Sequence, residues 1–423
     1  MEKGGFVARL PRELLMTFNN PHASLPQAAT TFFVEWTIFV LAKAMFTYQK
    51  TDRYFGQISE GLEELGCQEL NQLGAADIKP VFRGVFFSAD KATMYRIIYV
   101  VRLFTRILAP LIRFDCHSTK YLYKTAKKME WPQLLDLDTT FAINANVVHS
   151  KIRHSQYAAL CVKDAIVDFY RERFGKRPNI DTRSPDLQLN LHVQNDKATI
   201  YVDVSGGSMH RRGYRRETII APMQETVAAA IIRLTGWNGE KPLVDPMCGS
   251  GTLVSEALMH YCRIPSGFLR QRFGIAQLPD FDEKAWQSVK MQADKQVREL
   301  PTGLIRGSDS SRKAVKGARA NNGLLPQGDK IHLTVARIHD IPGIKDSIIV
   351  SNPPYGMRMG AGENMALFMK ELGDFLKQRC KGSTAYLYFG NRDLIKKIGL
   401  RPSWKRPLKS GGLDGRLVKY ELF

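Results

Sequence analysis

The sequence is poor in the residues that build disulfide frameworks and metal clusters. Its 423 residues include six cysteines and nine histidines. The cysteines form no CxxC pair, and the histidines do not lie near them at metal-ligand spacing. We therefore predict no metal site and no disulfide framework, and the cysteine usage is typical of a protein from the reducing cytosol.

Long uninterrupted hydrophobic runs are also missing. The most apolar stretch, residues 30–45, is interrupted by Glu35 and Lys43, so it is shorter than the roughly 18 clean residues that a membrane span requires. Since no secretory pattern precedes it, we predict a cytoplasmic protein without a membrane partner. Residues 1–45 are interpreted as an N-terminal extension outside the folded body rather than a membrane-associating helix.

Negative charge is scarce as well. Asp and Glu number 41 against 61 Lys and Arg, which gives a formal net charge of +20. The excess is uneven, because residues 46–204 carry 22 basic against 18 acidic side chains and residues 205–423 carry 35 against 20. This balance favours a polyanionic partner, and the nucleic acids are the most common of these.

The order of predicted elements divides the chain into two regions. Residues 46–204 alternate short strands and amphipathic helices, which is typical of a small α+β region. Within it, residues 91–114 have apolar side chains at helical spacing and are predicted to be one helix. The arginines interleaved in this helix are interpreted as a solvated stripe; they are Arg96, Arg102, Arg106 and Arg113. Residues 139–203 predict strand, helix, strand and strand, with a hairpin tip at Asn195 and Asp196. After a basic, glycine-rich junction, residues 205–423 predict a mostly parallel sheet with helices on both faces.

The stretch PLVDPMCGSGTLVSEALMHYC, residues 242–262, combines a short strand, a glycine turn and a helix. Glycine is needed where a cofactor lies against the backbone. The third glycine of a dinucleotide fingerprint is absent, and no Lys-Ser/Thr pair of a P-loop follows. The acid at the end of the strand, Asp245, suits a cofactor that carries an ammonium group better than a pyrophosphate.

A second acid, Asp309, follows the next predicted strand, after an intervening helical insertion of about residues 264–301. An acid at this point can bind both ribose hydroxyls of an adenosyl group, although it could instead cap the following helix. Asp245, Asp309 and the glycine turn together favour S-adenosylmethionine (SAM) as the cofactor. The predicted cofactor-binding residues are Asp245, Pro246, Cys248, Gly249, Gly251, Thr252, Asp309 and Asp340.

The motif SNPPYG, residues 351–356, follows an apolar strand that should end at the same edge of the sheet. The two prolines restrict the backbone and lack N–H donors, so carbonyl acceptors predominate there. The Asn352 side chain and a proline carbonyl could accept both hydrogens of an exocyclic base amine, while Tyr355 could stack on the base. The predicted catalytic residues are Asn352, Pro353, Pro354 and Tyr355.

The motifs DPMCGSGT and SNPPYG and the junction SGGSMHRRGYR resemble those of the THUMP-domain, class I SAM-dependent RNA guanine-N2-methyltransferases, closest to the RlmL-like enzymes that modify 23S ribosomal RNA. This resemblance implies a ferredoxin-like/THUMP RNA-binding region over residues 46–204 and a Rossmann-like class I methyltransferase domain over residues 205–423. It also implies an acid after the fourth strand that contacts adenine. Val335, Ala336 or Arg337 stands there instead, and Asp340 is only a displaced substitute.

Two basic segments are candidate RNA contacts. A loop precedes the predicted THUMP helix, and the other segment is the junction between the two regions; in both, side-chain charge could neutralise phosphates. The alternative for the loop is a solvated turn, and the alternative for the junction is that its arginines pin the domain interface. The predicted RNA-binding residues are Lys151, Arg153, His210, Arg211, Arg212 and Arg215.

The sequence thus predicts methyl transfer from SAM to the N2 amine of a guanosine in RNA, most specifically in 23S rRNA or a large-subunit assembly intermediate. The NPPY chemistry serves adenine N6 equally well, because both bases present an exocyclic amine. Methylation of adenine in RNA or DNA, methylation of guanine in tRNA, and RNA binding without catalysis therefore remain alternatives.

Overall fold

The computed structural model describes residues 45–217, 223–354 and 363–423. Phe46 to Phe423 form one compact unit. The interpretation of residues 1–45 as an extension concerns a segment that, except for Met45, lies outside the described residues. None of the described helices is both long and apolar enough to cross a membrane.

The N-terminal region forms one seven-stranded sheet in the order β2-β3-β1-β4-β7-β6-β5. Neighbouring strands are antiparallel except for the parallel pair of β5 and β6. The predicted ferredoxin-like and THUMP parts therefore share a continuous sheet. Its elements are α1 (Thr47–Thr51), β1 (Arg53–Gln57), α2 (Glu63–Gln72), β2 (Ala76–Val81), β3 (Gly84–Ser88), α3 (Lys91–Val100), β4 (Arg106–Asp115), α4 (Thr119–Lys127), β5 (Phe141–Val148), α5 (Ser155–Phe174), β6 (Leu187–Gln194) and β7 (Lys197–Asp203).

Local sequence explains much of this sheet. Asn195 and Asp196 both have positive φ, 51° and 55°, as a two-residue hairpin turn with matching twist requires. This confirms the predicted hairpin tip between β6 and β7. The strand, helix, strand, strand order predicted for residues 139–203 is confirmed by β5, α5, β6 and β7.

The single helix predicted over residues 91–114 is wrong in its second half. Helix α3 ends at Val100, and β4 begins at Arg106. Residues 107–111 are buried without alternation, because β4 is central in the sheet and covered on both faces. A continuous apolar run of this kind has neither a helical nor a strand period, so the pattern could not distinguish the two.

The predicted solvated arginine stripe is also wrong for two of its members. Arg106 forms an ion pair with the buried carboxylate of Asp203. Arg102 donates from Nη2 to the Ile264 carbonyl at 2.6 Å. Both arginines are therefore used inside the protein.

The C-terminal region forms a second seven-stranded sheet in the order β10-β9-β8-β11-β12-β14-β13. Pairs from β10 to β12 are parallel, whereas β14 is antiparallel to both of its neighbours. This arrangement confirms the predicted mostly parallel sheet. Its elements are α6 (Glu225–Thr235), β8 (Leu243–Asp245), α7 (Thr252–Tyr261), α8 (Glu283–Asp294), β9 (Ile305–Asp309), α9 (Arg312–Asn322), β10 (His332–Val335), β11 (Ile348–Ser351), α10 (Glu363–Arg379), β12 (Thr384–Phe389), β13 (Trp404–Pro407) and β14 (Arg416–Glu421).

The strand order reverses direction between β8 and β11. Beginning at β8, the chain first adds β9 and β10 on one side and then returns to place β11 on the other. In doubly wound sheets, ligands bind beyond the carboxyl ends of the strands at such a switch point. The fold therefore predicts a ligand site at the carboxyl ends of β8 and β11.

The insertion between α7 and β9 packs against the N-terminal region. Gly267 N donates to the Tyr99 carbonyl at 2.8 Å, and the Tyr99 hydroxyl donates to Asp294 at 2.8 Å. Tyr95 and Tyr99 also make edge-on ring contacts with Trp286. The insertion thus connects helix α3 of the N-terminal region with the C-terminal region.

Candidate active site

The predicted cofactor strand and the predicted amine-binding loop meet at the switch point. Strands β8 and β11 are paired in register, with Val244 opposite Ile349. Ser351, the last residue of β11, donates from its hydroxyl to Asp245 Oδ1 at 2.7 Å. Since Asn352 follows Ser351 directly, the structure brings the two predicted sites together.

Asp245 is a buried carboxylate without a cationic partner among the described residues. It is 1% exposed, and Met247 N donates to its Oδ1 at 3.1 Å. Burial, together with the neighbouring Asp309 carboxylate, raises the pKa of Asp245 to about 7. A ligand ammonium group would supply the missing positive charge and favour the ionised form.

The glycine turn after β8 has the geometry that only glycine adopts readily. Gly249 and Gly251 have φ values of 55° and 87°, and Gly251 N donates to the Cys248 carbonyl at 2.8 Å. A Cβ on Gly251 would lie 3.1 Å from the Cβ of Ala318 in α9. The turn therefore combines a left-handed backbone with a close approach to the next helix.

Asp309 lies beside this turn. Its Oδ2 accepts from Gly249 N at 2.9 Å, and its Oδ1 accepts from Ser311 N at 2.9 Å. The cap of α9 is Ser311, whose hydroxyl accepts from Ala314 N, so the alternative in which Asp309 caps this helix is wrong. Each Asp309 oxygen retains a lone pair for a ligand hydroxyl.

The remaining predicted turn residues have structural contacts. Cys248 N donates to the Ser308 carbonyl at 2.8 Å, and the Ser308 hydroxyl donates to the Pro246 carbonyl at 3.3 Å. These bonds hold the turn against β9. The Thr252 hydroxyl, at the first residue of α7, accepts from Arg215 Nη2 at 3.1 Å.

Asp340 is not the residue next to Asp309. In the parallel register of β9 and β10, Val335 lies opposite Asp309, and Ala336 N donates to the Asp309 carbonyl at 3.1 Å. Asp340 is exposed at the end of a 3₁₀-helix, where its carboxylate accepts from Arg337 N at 3.3 Å. Its role in cofactor binding stays a prediction, because the contact observed for the Asp340 carboxylate is a local one with the backbone.

These residues fit SAM. Asp245 is a buried acid suited to an ammonium group, and Asp309 has free lone pairs suited to ribose hydroxyls. Val335, 47% exposed at the end of β10, offers an apolar surface for a base. Among the described residues, no cluster of three or more His, Cys, Asp or Glu could hold a metal ion.

The loop after β11 presents an unused acceptor. Asn352 is half-buried, and its Oδ1 is enclosed but has no hydrogen-bond partner among the described residues. Pro353, which is buried, and Pro354 follow it without N–H donors. An enclosed, unpaired amide oxygen costs free energy unless a ligand supplies a donor. Tyr355 lies outside the described residues.

The structure corrects the prediction for two junction arginines. Arg212 is 1% exposed, and its Nε lies 3.3 Å from Glu256 Oε1, itself fully buried in α7. Arg215 lies 3.3 Å from Glu225 Oε1 and has a side chain only 15% exposed. A guanidinium group as enclosed as that of Arg212 cannot contact RNA phosphates, and Arg212 also donates to the Arg102 carbonyl of the N-terminal region, so the alternative that it pins the domain interface is supported. The contacts of Arg215 with Met223, Thr252 and Glu225 all lie within the C-terminal region, so Arg215 is held inside that region.

The other predicted RNA-binding residues remain accessible. Lys151, Arg153 and Arg211 are exposed. His210 is half-buried with Nδ1 2.6 Å from the Ser208 hydroxyl, and burial together with Arg211 lowers its pKa to about 4. His210 is therefore neutral at pH 7 and cannot supply a charge to a phosphate, although its ring could still contact RNA.

Sequence reasoning missed three residues that shape this site. Ser351 links β11 to Asp245 at the end of β8, and Glu256 pairs with Arg212 of the junction. Asn321 in α9 connects the junction with the glycine turn. Ser351 could have been found, because it is the first residue of the SNPPYG motif and ends the strand beside Asp245. Glu256 carried only the weak signal of an acid within an apolar helix, and Asn321 carried none.

Comparison with known proteins gives matches along almost the whole described chain. The family model for an RMKL-like methyltransferase domain matches residues 212–419, the THUMP domain matches residues 116–203, and the RlmL ferredoxin-like domain matches residues 54–108. The chain is 38% identical over 374 residues to "Putative RNA methyltransferase slr0064" of Synechocystis, covering 88% of this chain and 97% of that protein.

Two further comparisons bear on length and fold. The chain is 36% identical to the ribosomal RNA large subunit methyltransferase K/L of Syntrophotalea carbinolica, over 88% of this chain but 53% of that protein, so it spans about half the length of this relative. The crystal structure of SMU.472, complexed with SAH, superimposes with a TM-score of 0.77 at 28% identity, over 88% of this chain and 98% of that one.

Proposed function

The chain belongs to the family of RMKL-like methyltransferases with THUMP and RlmL ferredoxin-like domains, and from this premise we propose that it methylates the exocyclic N2 amine of a guanosine in RNA. The family confirms the resemblance predicted from the sequence, the Rossmann-like fold class and the predicted SAM-dependent RNA methyltransferase activity. SAM is the cofactor, and RNA is the substrate class.

One observation carries the assignment of an amine as the methyl acceptor. The Asn352 Oδ1 atom is enclosed and unpaired at the end of β11, and Ser351 joins this strand end to the cofactor acid Asp245. An exocyclic amine has two N–H donors, one for Asn352 Oδ1 and one for a proline carbonyl of the same loop. This arrangement turns the nitrogen lone pair away from the acceptors and toward the cofactor turn.

Methyl transfer from SAM to an amine requires mainly that the protein position the two reactants. Bound SAM supplies a methyl group on a positively charged sulfur. Asn352 Oδ1 and a proline carbonyl would hold the acceptor amine with its lone pair free for this methyl group, and the surplus proton of the methylated amine would leave to water. Asn352 would hold the amine and Asp245 would hold the ammonium group of the cofactor at neighbouring strand ends, so that most of the acceleration would come from proximity and orientation.

We propose 23S rRNA, naked or in a large-subunit assembly intermediate, as the substrate. The support is that the K/L relatives are named large subunit methyltransferases and share both the N-terminal and the catalytic regions of this chain. Exposed Lys151, Arg153 and Arg211 and the net charge of +20 suit a structured polyanion. The six free cysteines are consistent with action in the cytoplasm, which we propose as the location.

The experiment identifies the methylated nucleoside. The full chain is incubated with methyl-labelled SAM and with rRNA and tRNA from a strain that lacks the enzyme, and digested nucleosides are analysed by mass spectrometry. We expect labelled N2-methylguanosine in 23S rRNA, and its loss in Asn352→Ala with SAH affinity retained. N6-methyladenosine would replace guanine by adenine as the target, label in tRNA alone would overturn the rRNA assignment, and no label in either RNA would overturn the proposed substrate.

A further inference from the structure

The basic junction is joined to the cofactor turn by buried polar contacts that the RNA-binding interpretation does not explain. Three elements meet there, namely the junction, the start of α7 and the end of α9. The junction stands out in the sequence for its charge, but the side chains of Arg212 and Arg215 are directed into the methyltransferase domain. Arg215 and Asn321 make the contacts between the junction and the cofactor turn.

Arg215 binds the first residue of the helix that follows the glycine turn. Its Nη2 donates to Thr252 Oγ1 at 3.1 Å and to the Met223 carbonyl at 2.7 Å, and it lies 3.3 Å from Glu225 Oε1. Thr252 comes directly after Gly251, the left-handed residue of the turn. The guanidinium group therefore holds the point at which the turn becomes a helix.

Asn321 joins the junction backbone to the turn itself. It is 1% exposed. Its Oδ1 accepts from Arg216 N and Glu217 N, both at 3.0 Å, while its Nδ2 donates to the Glu217 carbonyl at 3.0 Å and the Ser250 carbonyl at 3.1 Å. Both donors and both acceptor positions of this amide are thus used. Ser250 lies between the two glycines of the turn.

The same network reaches the N-terminal region. Arg212 donates from Nη2 to the Arg102 carbonyl at 2.5 Å and pairs through Nε with Glu256, one helical turn beyond Thr252 in α7. The Tyr214 hydroxyl also donates to Glu256 at 3.0 Å. A continuous set of buried contacts therefore runs from the segment before β4, through the junction, to the cofactor turn.

We propose that Arg215 and Asn321 are positioning residues of the cofactor site, and that the junction sets SAM affinity by fixing the glycine turn. A glycine turn is flexible in isolation, because glycine loses more conformational freedom on ordering than any other residue. Contacts that order the turn before binding reduce the entropy that the cofactor must overcome. The proposal concerns the cofactor, so it can fail while the proposed RNA substrate stands.

The test measures SAH binding by calorimetry together with the melting temperature of each full-length variant. Arg215→Gln removes the charge but keeps polarity, and Asn321→Asp keeps the acceptors but replaces the donors to Glu217 and Ser250. We expect the SAH dissociation constant to rise about tenfold in each, the size expected from losing roughly one hydrogen bond that orders the turn. Arg215→Lys should recover part of this loss.

The matched control is Arg216→Gln, the same change at the adjacent residue, whose side chain is exposed. It should leave SAH affinity unchanged. In steady-state kinetics with RNA, Arg215→Gln should raise the KM for SAM more than it lowers kcat. If Arg215→Gln and Asn321→Asp lower the melting temperature but bind SAH as tightly as the unmodified chain, the two residues are structural only and the proposal is overturned.

Discussion

Two basic segments of the molecule have similar composition but opposite surroundings. In the loop before α5, Lys151 and Arg153 are exposed, whereas in the junction Arg212 is 1% exposed and pairs with Glu256. The difference lies in the partner. Acidic side chains of α6 and α7 pair with Arg215 and Arg212 of the junction, and none of the ion pairs found among the described residues includes Lys151 or Arg153.

The comparison shows that local charge density does not reveal how a charge is used. A buried arginine must be paired and hydrogen-bonded, because an isolated charge is very costly to remove from water. An exposed one remains available to a phosphate and to counterions. Net charge therefore predicts a polyanionic partner for the whole chain, but only burial assigns the surface that binds it.

We expect the largest effect, a loss of stability, from breaking the buried ion pair of Arg212 and Glu256. Arg212→Met removes the partner of Glu256 and leaves an uncompensated buried carboxylate, which should lower the free energy of unfolding by about 3–5 kcal/mol. Urea unfolding measures this change. Arg211→Met, the same substitution at the exposed neighbour, should change stability little. Equal stability of the two variants would contradict the burial of Arg212.

The comparison is sharpened by Asp245, a buried acid that has no cationic partner among the described residues. Because the pKa of Asp245 is raised to about 7, the carboxyl is protonated below that pH and must lose its proton to bind an ammonium group. SAH affinity should therefore rise with pH up to about 7, by about tenfold per unit at most, and then level off. Calorimetry between pH 5.5 and 8 measures this. Asp245→Asn should bind weakly at every pH, and an unchanged pH profile in this variant would exclude Asp245 as the origin.

We expect the smallest effect from changes in the exposed loop before α5, which contains Lys151 and Arg153. Replacing Lys151 and Arg153 by alanine removes charges that face solvent and leaves the buried network intact, so stability and SAH affinity should not change. The slope of RNA affinity against salt, on logarithmic axes, should fall by about 0.7–0.9 for each phosphate that is no longer neutralised. Filter binding over a range of salt concentrations measures the slope, and a slope that stays the same would remove this loop from the RNA interface.

The sequence predicted most of the elements and the location of the site. The strand ends at Asp245, Asp309 and Asn352 are recognisable because each residue follows an apolar strand of a parallel sheet, and such ends meet at one edge. The sequence did not predict β4 as a strand, because burial on both faces of β4 removes the alternation of apolar and polar residues. It also failed for Arg212, because its partner Glu256 lies 44 positions away in a helix whose packing no local pattern reveals.

The central claim is that one switch point holds the cofactor on the β8 side and the methyl-accepting amine on the β11 side. Single-turnover methylation and SAH calorimetry on Asp245→Asn and Asn352→Ala test it most directly. We expect Asp245→Asn to lose SAH affinity, and Asn352→Ala to keep SAH affinity while the rate of methyl transfer falls by at least about a hundredfold, as expected when orientation is lost. An Asn352→Ala variant that methylates RNA at the unmodified rate would contradict the account.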